Sequence, residues 1–101
     1  MARLTDDEDL ARTVAECFLE DIPRQIEALR GCLEAGDVPG AECLAHSIKG
    51  ASANVGGERL QEVAFEMEKA GKAGALDVVK ARMADLDMQF DALKEAMTKE
   101  Q

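Results

Sequence analysis

The sequence predicts an all-α fold: an antiparallel four-helix bundle with an additional N-terminal helix, about five helices in all. Three observations carry this expectation. Apolar residues recur three and four positions apart along most of the chain, the spacing of helices that bury one face. Ala, Leu, Glu and Lys are abundant, whereas Pro occurs twice and Trp and Tyr not at all, a composition that favours helix throughout. The breaks between periodic segments are short and marked by Gly, Pro, Asp or Asn, so successive helices should fold back on one another.

The first helix is expected to open at Thr5-Asp6-Asp7-Glu8, a capping box in which hydroxyl and carboxylate satisfy each other's backbone donors. Its stripe is Leu10, Val14, Cys17 and Phe18, and it should end near Glu20 because Pro23 disfavours continuation. Asp21 would cap a second helix with Pro23 in its first turn and Ile22, Ile26, Leu29 and Leu33 on its apolar face. Gly36 closes that helix, and Asp37 with Pro39 opens a third that runs to about Ala53. Asn54-Val55-Gly56-Gly57 reads as a turn, since Asn and Gly tolerate the left-handed backbone that ends a helix.

The fourth helix, from about Glu58 to Lys72, buries Leu60, Val63, Ala64 and Met67, with Gly71 and Gly74 as its terminators. The fifth carries Leu76, Val79, Met83, Leu86, Phe90, Leu93 and Met97 in heptad-like spacing. An intramolecular core is the simpler reading of that stripe than a dimeric coiled coil, because four other amphipathic helices need a partner. A monomer is therefore expected. The residues from Met97 to Gln101 are expected to fray.

The chain has 101 residues, which suits one domain, 1–101, with one modest core and no room for a deep enzyme cavity. Its formal charge of -9 argues against nucleic acid, whose phosphates need a basic footprint, and against anionic membrane surfaces. No apolar run approaches the roughly 18 residues of a transmembrane helix, and the N-terminus lacks a signal peptide's apolar core; a cytoplasmic location is expected. Cys17, Cys32 and Cys43 are odd in number and widely spaced, so neither a disulfide framework nor a zinc site is suggested. Cys17 and Cys32 read as small core residues. No metal site and no cofactor are expected.

The most informative stretch runs from Ala45 to Gly56 and contains His46, the sole histidine. Ala41, Leu44, Ala45, Ile48, Ala51 and Val55 form its buried stripe, and at about 100° per residue His46 lies roughly 160° round from Ile48. The imidazole is therefore expected to face water, sharing its face with Glu42, Cys43, Lys49, Gly50 and Ala53. A glycine inside a helix costs about 1 kcal/mol relative to alanine, so Gly50 suggests that bare backbone is needed there for an approaching protein. Lys49, one turn after His46, could place an ammonium beside an anion carried on the ring.

The run His46-Ser47-Ile48-Lys49-Gly50-Ala51-Ser52-Ala53-Asn54-Val55-Gly56 resembles the signature of histidine-containing phosphotransfer domains of bacterial and plant phosphorelays, matched at His46, Lys49, Gly50, Ser52 and Gly56. The number, length and order of the helices are also similar to that family. The resemblance implies a phosphorelay intermediate that accepts a phosphoryl group on His46 from a receiver-domain aspartate and passes it to another. It implies phosphorylation at Nε2, response-regulator receiver domains as partners, with a hybrid sensor kinase as a further candidate, and Mg²⁺ only on the receiver. Such a chain is a phosphocarrier rather than an enzyme.

Within that reading Lys49 stabilises the phosphoryl oxygens. Ser52 is assigned to the structure, through a bond back to the carbonyl of Ile48, and Gly56 to the turn. A hairpin centred on Val55 and Gly56 brings Phe65 and Lys69 level with His46, so the receiver-docking face is expected to comprise Cys43, Gly50, Ala53, Phe65 and Lys69. The alternative is a helical adaptor that is never phosphorylated and binds a receiver or kinase through the same face.

Overall fold

The computed structural model describes the backbone of residues 2–99 and the side chains of residues 12–98. Four helices occupy the described residues: α1 (Ala2–Ala35), α2 (Val38–Asn54), α3 (Glu58–Lys72) and α4 (Leu76–Lys99). Each packs against two neighbours in a closed ring, α1 on α2, α2 on α3, α3 on α4 and α4 on α1. With connections of two or three residues, this is an up-down-up-down antiparallel bundle.

The expected fifth helix is absent from this arrangement, because the first two predicted helices are one. α1 continues through Pro23. A proline inside a helix costs about 3 kcal/mol, since it has no N–H to donate and its ring crowds the preceding turn. Against that cost stands an unbroken stripe: Phe18, Ile22, Ile26, Leu29 and Leu33 are all buried, each worth about 1.5–3 kcal/mol. Their spacing keeps phase across Pro23, which itself faces solvent. A break at Glu20 would have turned half the stripe away from the core.

Two other expectations about the start of this helix change. Cys17 is exposed, and Val14 is 43 % exposed, so neither joins the core that begins at Phe18. The helix already spans Ala2, which places Thr5 inside it; the side chains of the expected capping box, and that of Leu10, lie outside the described residues. At the other end, the expected fraying concerns residues that partly lie outside them too.

The later elements follow the sequence closely. Asp37 caps α2 by accepting a hydrogen bond from the Gly40 amide at 3.0 Å, with Pro39 in the first turn. Gly36, Gly56 and Gly74 take the left-handed backbone, with φ of 72°, 72° and 75°, at the end of α1, α2 and α3 respectively. Ile48, Leu60, Ala64, Met67, Val79, Met83, Leu86 and Phe90 complete the core, and Phe18 meets Phe90 with ring centroids 6.1 Å apart. Arg30 on α1 donates to Asp87 on α4 at 2.6 Å, while Arg82 on α4 pairs with Glu66 on α3.

Candidate functional site

The α2–α3 hairpin sets up the site. At its closed end the Gly57 amide donates to the carbonyl of Ser52 at 2.8 Å, and the buried Ser52 hydroxyl donates back to the carbonyl of Ile48 at 2.7 Å. Ser52, through its hydroxyl and carbonyl, and Gly56, through its left-handed backbone, stand at the end of α2 and in the reversal. Further along the hairpin, Gly71 is buried within α3 rather than ending it. A Cβ at position 71 would stand 3.3 Å from both Cα and Cβ of Glu42, so its absence lets the two helices approach closely beside His46.

His46 projects from α2 with its side chain 67 % exposed. Its Nδ1 lies 2.9 Å from Oε2 of Glu68 on α3. Lys49 Nζ lies 2.7 Å from the other carboxylate oxygen, Oε1, and Lys72 Nζ stands 3.8 Å from Oε2. The Glu68 side chain is only 7 % exposed, an environment that ordinarily disfavours charge. The hydrogen bond from Lys49 more than offsets this desolvation, His46 adds to it, and the Glu68 carboxyl is held below its ordinary value.

That ionisation settles the proton on the ring. A carboxylate can only accept, so a neutral His46 must carry its hydrogen on Nδ1 and leave the lone pair on Nε2. The nucleophilic nitrogen is then the one that Glu68 does not engage.

Glu68 is the site residue that the sequence reading missed. The hairpin register brings Phe65 and Lys69 level with His46, and Glu68 lies between them. A signal was available: Glu68 follows Leu60 and Ala64 at intervals of eight and four, on the edge of the buried stripe, where a lone acid requires cations. Lys49, expected to place its ammonium beside an anion on the ring, is paired with Glu68, so imidazole and ammonium meet the two oxygens of one carboxylate.

The other expected residues fall around this triad. Phe65 is 45 % exposed, with Lys69 Nζ at 4.6 Å and Lys49 Nζ at 5.1 Å from its ring centroid, both within cation–π range. Cys43 is exposed and lines an open hollow with Pro39, Glu42, His46, Glu68 and Lys72. Gly50 and Ala53 are exposed on α2, and a Cβ at Gly50 would meet nothing within 4 Å. No constraint inside the chain therefore explains that glycine.

A bundle that presents one outward imidazole, oriented by a carboxylate and flanked by lysines, defines a carrier of small electrophilic groups rather than a catalyst with an enclosed cavity. The chain belongs to the Hpt domain family, whose model matches residues 13–96, and is a histidine phosphotransfer intermediate of phosphorelays. It is similar in structure to the histidine-containing phosphotransfer protein B (HptB) from Pseudomonas aeruginosa PAO1, with a TM-score of 0.89 and 27 % sequence identity, over 98 % of this chain and 87 % of that one. No curated protein matches it in sequence. Among the described residues, no helix is long and apolar enough to cross a membrane.

Proposed function

We propose that His46 is the residue that carries the phosphoryl group, taking it from a receiver-domain aspartate and delivering it to the aspartate of another receiver. The observation that carries this reading is the bond between His46 Nδ1 and an ionised, nearly buried Glu68, which leaves Nε2 as the outward nucleophile. Phosphoryl transfer asks for in-line positioning and charge stabilisation and little else. An imidazole fixed at one nitrogen supplies the first.

Lys49 supplies part of the second. One of its three N–H donors is taken by Glu68, and the others remain for a phosphoryl oxygen on the neighbouring ring. The Mg²⁺ that balances charge at the aspartyl phosphate belongs to the receiver, and this chain contributes no cofactor. Phe65, with its aliphatic and cationic surround of Lys49 and Lys69, forms the apolar part of the docking face; Cys43, Gly50 and Ala53 extend it along α2 and let the partner's backbone come close. The carrier works as a monomer in the cytoplasm, and residues 1–101 form one functional unit.

The test is transfer of label. A receiver domain charged with radiolabelled acetyl phosphate is incubated with this protein and with its His46→Gln variant. Label that is acid-labile, base-stable and confined to the protein with His46 supports the reading. Binding of the receiver without any labelling would establish an unphosphorylated adaptor instead.

A further inference from the structure

The face that α3 turns away from the core carries Glu58, Glu62, Phe65, Lys69 and Lys72, three or four positions apart and all exposed. At about 100° per residue these five fall within roughly 80° of one another, opposite the buried Leu60, Ala64 and Met67. Along the helix the strip runs acid, acid, aromatic, cation, cation. Its acidic end adjoins the reversal between α2 and α3. Its basic end adjoins the imidazole, since Lys72 lines the same hollow as His46.

The helix dipole accounts for part of this order. Glu58 lies in the first turn of α3 and Lys69 and Lys72 in its last, where such charges are favoured, but the effect fades within one turn. Glu62 lies beyond it. Glu66 and Glu68 on the same helix meet Arg82 and Lys49, whereas among the described residues no cation stands within ion-pair distance of Glu58 or Glu62. Arg59 lies about 20° round from Glu66, on the flank from which Glu66 reaches Arg82 of α4. What sets Glu58 and Glu62 apart from other exposed acids is their place: they line an open hollow with Lys49, Gln61 and Phe65, on the side of Phe65 away from Lys69.

We propose that this strip orients the receiver domain, and that the receiver presents the complementary order: its phosphorylated aspartate over His46, an apolar recess over Phe65, and lysine or arginine side chains opposite Glu62 and Glu58. The inference rests on the carrier reading above, which puts the aspartate over His46. With a rise of about 1.5 Å per residue, Glu62 and Glu58 stand about 9 and 15 Å along α3 from the level of Glu68, too far to touch a phosphoryl group on the ring and within the footprint of a docked domain. Turned end for end about His46, the same receiver would take its recess off Phe65 and carry its cations to the Lys72 end. Charge thus selects one of two ways to lie on the hairpin and disfavours receivers that lack those cations.

The experiment begins with receiver domains encoded in the same genome, charged with radiolabelled acetyl phosphate; those that label His46 are carried forward. Transfer is timed from about 0.02 to about 0.5 M ionic strength, across which the screening length falls several-fold, for the native protein, Glu62→Gln, Glu62→Lys and Asp91→Lys. Asp91 is exposed and one turn from Asp87, which bonds to α1, so its reversal changes net charge equally on another side of the bundle. At low salt Glu62→Lys should slow transfer about tenfold, within the range of electrostatic steering, with Glu62→Gln in between and Asp91→Lys near native. The advantage of the native protein over Glu62→Lys should shrink as salt rises. Reversing one receiver lysine or arginine to glutamate should restore transfer to Glu62→Lys. Labelling of His46 by phosphoramidate, which needs no receiver, should be equal in all four proteins.

Native-rate transfer to Glu62→Lys, an equal loss in Asp91→Lys, or a defect that no receiver reversal relieves would overturn the orienting role and leave His46 as the carrier. Slow phosphoramidate labelling of Glu62→Lys would overturn it too, by placing that acid in the folding or the chemistry of the site itself. Failure of every receiver to label His46 would overturn the carrier reading and this inference with it.

Discussion

Gly71 of α3 and Glu42 of α2 are in backbone contact: a Cβ on the glycine would lie 3.3 Å from the Cα and Cβ of the glutamate. This close approach lies one turn from Glu68 on one helix and one turn from His46 on the other. Gly71→Val should therefore force the helices apart, at a cost of about 1–3 kcal/mol for overpacking. Urea denaturation would measure that loss, and slower labelling of His46 should accompany it.

Replacing the histidine should leave the fold almost untouched. Its side chain is 67 % exposed, and an exposed ion pair contributes only about 0–1 kcal/mol. His46→Gln should abolish phosphoryl acceptance while moving the denaturation midpoint by no more than that amount. A large destabilisation would show that the ring serves the core.

Acid should act on the bundle through Glu68. Its carboxyl is held below the ordinary value of 4.5, first by the Lys49 hydrogen bond and then, against the opposing effect of burial, by His46. A carboxyl depressed in the folded state adds stability that is complete above its unfolded value and is lost as pH falls through its folded one. The native protein should keep this increment above pH 4.5 and shed it below. Urea midpoints taken from about pH 6 to about pH 3 should show a slope in that window that Glu68→Gln lacks.

Phe65 should matter to partners more than to the fold. It is 45 % exposed and has two ammonium groups, of Lys49 and Lys69, within cation–π range of its ring. Phe65→Ala should retain native helicity and weaken receiver binding by about tenfold or more, as expected for an aromatic anchor, read by calorimetric titration. Unchanged affinity would remove Phe65 from the docking face.

Pro23 offers a check on the long first helix. It faces solvent inside α1, where replacement by alanine restores the missing N–H donor. Pro23→Ala should raise stability by up to about 3 kcal/mol, seen as a higher melting temperature. Were the helix interrupted there, the same change would bring no such gain.

The residues themselves explain what the sequence disclosed and what it did not. The last three helices were legible because Asp37, through its side chain, and Gly36, Gly56 and Gly74, through their backbones, act locally and leave a mark at the position where they act. The first helix was misread because a local rule about Pro23 was set above a stripe that crosses it in phase, and packing outweighs propensity when five buried side chains depend on it. His46 was legible from its angle to Ile48. Glu68 was not, because its role arises from a pairing across the hairpin that no spacing within one helix records, and the bonding of Lys49 to it was hidden for the same reason.

All the groups that surround the imidazole come from two consecutive helices joined by a three-residue reversal, Val55 to Gly57. Among the described residues, the hollow beside the ring is lined from α2 and α3, while α1 and α4 contribute Phe18, Ile22, Leu29, Val79 and Leu86 to the core. With the docking face proposed above, partner choice would rest on one short cassette of sequence. Grafted between related bundles, that cassette would carry its signalling allegiance with it, while the remaining helices are left to drift.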